Sequence, residues 1–212
     1  MIAKASEPQP RRVTKRRAET RQRLLEAAQQ VFAEEGFGRA SVEDVCERAG
    51  YTRGAFYSNF VSLDQLFLAM WETRSAALLE SMAAALEAVS EEEALSLEEG
   101  IDRLLEVIPV DDHWYRIEAE FTAHALRDPS LRSVMATRET QIAETLLPFI
   151  DRALGRVGRR VGDRLAFAAA LVAVHDGTAV QCLIEPDDPL ARRRRRDLFL
   201  TVVNAYTEET RR

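Results

Sequence analysis

Two cysteines, three histidines and no long apolar run are what this sequence of 212 residues is short of. Cys46 and Cys182 stand far apart, each in a helical context, which supports neither a disulfide framework nor a Cys-rich metal site, so both read as buried, reduced thiols. The longest uninterrupted apolar stretch, around Ala166 to Val174, falls well short of the roughly 20 residues that span a bilayer, and no membrane partner is expected. The basic start MIAKASEPQPRRVTKRR has no apolar segment behind it and does not read as a secretory signal, which places the chain in the cytoplasm. Enzyme signatures are missing too: there is no nucleophile elbow, no Gly-rich phosphate loop and no zinc motif. His175 beside Asp176 is not a dyad, because neighbours on a helix point about 100° apart. Glu120 and His124 share a helical face, but two ligands are not a site, so neither metal nor cofactor is expected.

What the chain does have is an uneven charge. Its net −6 hides eight Lys/Arg against two acids within residues 1–23 (Lys4, Arg11, Arg12, Lys15, Arg16, Arg17, Arg21 and Arg23 against Glu7 and Glu19), so the rest is more acidic than the total. A basic arm on an acidic body attracts polyanion locally without making the whole surface sticky. A merely solvated tail has the same composition.

Apolar residues recur every three to four positions almost everywhere, which predicts an all-α fold: three N-terminal helices forming a helix-turn-helix domain, then a bundle of about six. The first helix is expected over Thr20 to Glu35, stopping at Gly36. Ser41 is placed to cap a second, with Asp44 three residues on, and Gly50 ends it. Thr52 can cap a third, Arg53 to about Phe60. Ser62 with Gln65 then opens a long helix carrying Leu63, Leu66, Phe67, Met70, Ala77, Leu78 and Leu86 to near Val89. Further helices are expected near Leu97 to Val107, Asp112 to Leu126, Ser130 to Leu154, Arg160 to Ile184 and Leu190 to Glu208, separated by Pro109, Asp128-Pro129, Gly155 with Gly158, and Pro186 with Pro189. The expected domains are a flexible basic arm over 1–17, a helix-turn-helix head over 18–65 and a helical body over 66–212, which the resemblance given below implies to be the effector-binding and dimerisation part.

Two short helices joined by a Gly-containing turn present the second to the DNA major groove. At 100° per residue Phe56 and Phe60 lie about 40° apart and anchor the third helix inward, leaving Arg53, Gly54, Tyr57 and Ser58 in the outward sector. Thr52 and Arg53 stand at its N-terminal end, where side chains reach base edges and free N–H groups favour phosphate. Arg53 can fork onto guanine. Gly54 costs roughly 1 kcal/mol of helix propensity relative to Ala, which suggests a steric reason: close approach to DNA. Tyr57 suits a hydrogen bond to backbone phosphate.

The run GFGRASVEDVCERAGYTRGAFYSNFVSLDQL resembles the DNA-binding segment of the tetracycline-repressor (TetR) family over about Thr20 to Trp71. Gly36-Phe37, Ser41-Val42, Ala49-Gly50, Gly54, Phe56-Tyr57, Phe60, Ser62 and Leu66 carry the likeness. By that resemblance Arg16 and Arg17 of the arm, with Thr20, Ser41, Val42, Thr52, Arg53, Gly54, Tyr57 and Ser58, fall where such proteins touch DNA. It also implies dimers with a body that binds a small molecule. Two positions depart from the pattern: Leu63 stands where a phosphate-facing Lys is frequent, and Ala40 where Thr is frequent.

In the body the likeness rests on HDGTAVQCLIEPDDP, His175 to Pro189, and implies an interface of four helices with a second copy. Ala169, Val172, Ala179, Leu183, Leu198, Val202 and Tyr206 are its candidates, although burial within one subunit explains the same stripes. Trp71, Trp114, Glu118, Phe121, His124, Met135 and His175 are candidates to line an effector pocket, with ordinary core as the default for the large apolar ones. The run Arg192 to Arg196 spreads around a whole helical turn and reads as a solvated, salt-bridged start to the last helix, not as a second nucleic-acid patch. The function expected is a sequence-specific transcriptional regulator: a homodimeric repressor released from a palindromic operator by a small-molecule effector.

Overall fold

The computed structural model describes residues 10–88 and 96–210. In chain order it has α1 (Pro10–Glu35), α2 (Val42–Ala49), α3 (Arg53–Tyr57), α4 (Leu63–Glu87), α5 (Leu97–Val107), α6 (Asp112–Ala125), α7 (Pro129–Arg156), β1 (Arg159–Val161), α8 (Arg164–Ile184), α9 (Pro189–Tyr206) and β2 (Thr207–Glu209). The chain divides into two compact units. The first runs to Thr73 and takes in Arg116–Phe121; the second comprises Arg74–Tyr115 and the residues from Thr122 onward. The break falls inside α4, between Thr73 and Arg74, and the first turns of α4 belong to the core of the first unit.

That core is built on the α1 stripe Leu24, Ala28, Val31 and Phe32, with Val45 and Cys46 of α2, Phe56 of α3, Phe60, and Leu66 and Phe67 of α4, all buried. Phe121 completes it, stacked on Phe67 with centroids 3.8 Å apart and edge-on to Phe37 at 5.1 Å. Aromatic pairs of this geometry add about 0.5–1.5 kcal/mol beyond area burial. Gly36 closes α1 at φ 86°, a left-handed conformation that costs Gly nothing. A Cβ there would sit 2.7 Å from Glu120 Oε2, and the neighbouring Gly38 N–H donates to the same carboxylate oxygen at 3.4 Å.

In the second unit Ile101, Ile150, Leu154, Phe167, Phe199 and Val203 form one apolar cluster from α5, α7, α8 and α9, and Ala143, Leu147 and Ala168 a smaller one. The caps explain the boundaries: Ser96 with Glu99 boxes α5, while Asp111, Asp128, Asp163 and Asp188 cap α6, α7, α8 and α9 through their carboxylates.

Four differences from expectation have identifiable physical causes. α1 starts ten residues early, so residues 10–17 of the expected flexible arm are helical; Pro10 suits the first helical position, where no N–H is needed. Residues 1–9 lie outside the described residues. β1 and β2 pair antiparallel, Arg159 with Glu209, Arg160 with Glu208 and Val161 with Thr207, which starts α8 at Arg164 and stops α9 at Tyr206. Such three-residue strands have no apolar alternation to read; across their backbone pairing run the Arg160–Glu208 ion pair at 2.7 Å and a bond from Arg159 Nε to Thr207 Oγ1 at 2.7 Å. α8 is apolar and, at 21 residues, long enough by length and composition to cross a membrane, although single polar residues interrupt its apolar runs. The Arg192–Arg196 run is not uniformly solvated: Arg196 pairs with Asp102, but Arg195 is buried, donating to Thr178 Oγ1 at 3.0 Å and lying over the Phe199 ring at 5.3 Å.

Candidate nucleic-acid interface

The turn between α2 and α3 is set by its caps. Ser41 and Asp44 form a complete capping box on α2, and Gly50 ends that helix at φ 70°. Thr52 Oγ1 then accepts from Ala55 N at 3.3 Å and starts α3. Phe56 points inward, fully buried, with Phe60 2% exposed, so the opposite sector of α3 faces out as helical geometry requires. Thr52, Arg53, Gly54, Tyr57 and Ser58 are all exposed there. A Cβ at Gly54 would meet only Thr52 Oγ1 at 3.7 Å, so nothing inside the protein requires glycine.

Arg53 does not hang free. Its Nη1 is 2.6 Å from Glu43 Oε1, and its guanidinium lies over the Tyr57 ring at 5.9 Å. Both neighbours hold the guanidinium proton more firmly, Tyr57 first and Glu43 second. Reasoning from sequence missed Glu43, since its meeting with Arg53 depends on the α2–α3 crossing and has no signal in spacing.

The remaining candidates divide. Arg16 is exposed, and Arg17, also exposed, donates from Nη2 to the Ser58 carbonyl at 2.9 Å, a cation placed at the C-terminal end of α3 where its dipole favours one. Thr20 returns its hydroxyl to Arg16 O. Arg21, one of the basic residues of the N-terminal segment, lies over the Phe60 ring at 5.3 Å. The Ser41 hydroxyl is engaged in its capping box, and Val42 is half-buried.

Of the effector-pocket candidates, Trp71, Glu118 and Phe121 belong to the first unit, where Trp71 and Phe121 are core. In the second, Trp114 is buried beneath Arg74, whose guanidinium is 4.8 Å from its ring and 2.9 Å from Asp111. His124 is exposed and Met135 half-buried. His175 accepts at Nδ1 from Arg195 at 2.9 Å, and burial, with the Arg195 charge, lowers its pKa to about 4. A cleft of about 620 Å³ in this unit is lined instead by Leu97, Glu98, Val157, Gly158, Arg159, Asn204, Glu209 and Thr210. Among the described residues no three His, Cys, Asp or Glu side chains converge to hold a metal.

On α8, Leu165, Ala169, Ala173 and Ile184 are exposed and Val172 and Leu183 half-buried; on α9, Leu198 is 39% exposed. Ala179, proposed from sequence for the same surface, turns inward at 6% exposure, and Tyr206 packs its ring 5.8 Å from Phe167, with Val202 against the same cluster. These three serve the unit's own core.

Residues 24–70 match the family described as bacterial regulatory proteins, tetR family, and residues 92–208, more than half of the chain, match the C-terminal part of BetI-type transcriptional repressors. The chain belongs to the tetR family. This tetR-family chain is 40% identical over 62 residues to the HTH-type transcriptional regulator AcrR of Shigella flexneri, covering 29% of each chain. It is 30% identical over 127 residues to the HTH-type transcriptional repressor AcnR of Corynebacterium efficiens, covering 60% of this chain and 62% of that one. The matches thus span 29% to 62% of these curated relatives' length. Among solved structures it is similar to the multidrug binding protein EbrR complexed with ethidium: TM-score 0.61, 29% identity, 87% of this chain and 98% of that one.

Proposed function

We propose that this tetR-family chain is a sequence-specific DNA-binding repressor that acts in the cytoplasm as a homodimer on a palindromic operator and is released by a small-molecule effector. The observation that carries the reading is the outward sector of α3: a capped N-terminus, a 61% exposed Arg53 side chain, a Gly54 whose absent side chain the protein does not need, and a 49% exposed Tyr57. Arg53 reads a guanine through its fork, and Thr52, Tyr57 and the arm residues Arg16 and Arg17 take phosphates, which fix register without reading sequence. Arg17 leaves the Ser58 carbonyl to do so.

A second copy covers the exposed apolar face of α8, where only 22% of the most apolar stretch is buried in one protomer. Leu165, Ala169, Val172, Ala173 and Ile184 share that face, and small residues let two helices approach closely. Two heads then address half-sites about 34 Å apart, one turn of B-DNA. The release step is supported by the likeness to EbrR, a protein solved with ethidium. An effector that binds better to a conformation whose heads no longer match that spacing shifts the population away from DNA.

The test is binding to DNA flanking the protein's own gene, at several salt concentrations, by the native chain, Arg53→Ala and Tyr57→Ala. The expected result is tight binding to a palindrome, a loss of roughly 1–3 kcal/mol for Arg53→Ala confined to one base position, and a uniform loss for Tyr57→Ala. Equal binding to every sequence by all three proteins would replace this reading with nonspecific DNA packaging.

A further inference from the structure

We propose that Glu43 is the residue that makes Arg53 selective: it aims the guanidinium from the neighbouring helix so that one orientation, and therefore one base, is read. This rests on Arg53 being a reading residue, as argued above. Glu43 is the second residue of α2, and its carboxylate has no part in the capping box, which Ser41 and Asp44 complete by themselves. It is 55% exposed on the surface that carries Thr52, Arg53 and Tyr57, where a negative charge approaching DNA weakens binding to every sequence. What it gains is direction. Arg53 Nη1 is held at 2.6 Å while its guanidinium carbon lies over the Tyr57 ring, 5.9 Å from the centroid, so the arginine has a neighbour on two sides.

A guanidinium has five N–H donors in a rigid fork, and tying one Nη to Glu43 leaves the Nε and other Nη edge to meet guanine N7 and O6 together. Unrestrained, the same side chain rotates to whatever phosphate or base acceptor is nearest, which improves binding to wrong sites more than to the right one. Specificity is a difference of affinities, and here the acidic neighbour lowers the wrong ones. The pair is exposed, and exposed ion pairs contribute little to folding, so substituting Glu43 leaves the fold intact.

The experiment uses the full chain and a duplex selected by it from a random pool, with each base pair varied in turn. Glu43→Gln removes the charge at constant shape; Glu43→Asp keeps the charge and withdraws the carboxylate by one methylene. Both are expected to lower discrimination at the base pair that Arg53→Ala identifies by about tenfold, within the range one bidentate contact supplies, through tighter binding to the wrong bases. If Glu43→Gln tightens every duplex equally and Glu43→Asp changes nothing, Glu43 is only a surface charge and the proposal is wrong. If Arg53→Ala leaves all base preferences unchanged, the reading role of Arg53 falls and this inference falls with it.

Discussion

At the residue scale the most constrained polar group is His175. Its Nδ1 accepts from Arg195, whose own charge is buried against Thr178 and Phe199, so protonating the ring would place a second cation beside the first. Burial and that charge take its pKa from 6.5 to about 4. Between these values the unfolded chain binds a proton that the folded chain refuses, so stability is fully present above pH 6.5 and falls as the pH drops toward 4. Thermal unfolding followed from pH 7.5 to pH 4 should show a declining midpoint in the native chain and a flatter profile in His175→Gln. Asp102 and Glu34, held low by Arg196 and Arg48, lose their contributions at and below their ordinary values of 3.8 and 4.5. Asp176, raised by desolvation and by Glu139, acts in the opposite sense in both proteins. An identical decline in His175→Gln would show that the ring carries none of it.

At the element scale α8 is the helix whose two faces do different work. Phe167, Ala168, Thr178 and Ala179 face the unit's core, and Leu165, Ala169, Ala173 and Ile184 face out on the same 3.6-residue period. Ala173→Glu puts a carboxylate on the outward face without touching the inward one. If a second copy covers it, the uncompensated buried charge costs roughly 3–5 kcal/mol, and the dimer should dissociate at least a hundredfold more readily in sedimentation equilibrium while the monomer keeps its helicity. An unchanged association constant would place the contact elsewhere. Sequence periodicity named the helix but not its rotation: Ala179 is as small as Ala169, and it is the burial of Thr178 and Ala179, with Thr178 Oγ1 accepting from Arg195 of α9, that shows which side meets the core.

On the scale of the whole molecule, the parts legible in the sequence are those governed by local chemistry. Ser41 with Asp44, Thr52, Gly36, Gly50 and the Asp128-Pro129 break each act within four residues, and each stands where expected. The outward sector of α3 was legible because helical geometry and two phenylalanines fix it. What was not legible depends on residues far apart in sequence. The Glu43–Arg53 pair needs the angle between two helices; the inward Arg195 needs the acceptors that α8 offers; the β1–β2 ladder joins positions 48 residues apart, with the Arg160–Glu208 ion pair across it. That Arg116–Phe121 joins the first unit was equally hidden, since Phe121 stacks on Phe67 from a quarter of the chain away.

The two cysteines, one in each unit, turn the protein into its own pair of clocks. Cys46 is buried in α2, and desolvation, with Glu43 nearby, raises its thiol pKa, so it reacts only when the first unit opens; Cys182 is half-exposed and needs no such event. Timed alkylation followed by mass spectrometry should therefore label Cys182 first and Cys46 much later. Operator DNA should slow Cys46 further by about the factor by which it stabilises the head, with Cys182 as the internal standard. Equal labelling rates would mean that the head opens as freely as the body surface breathes.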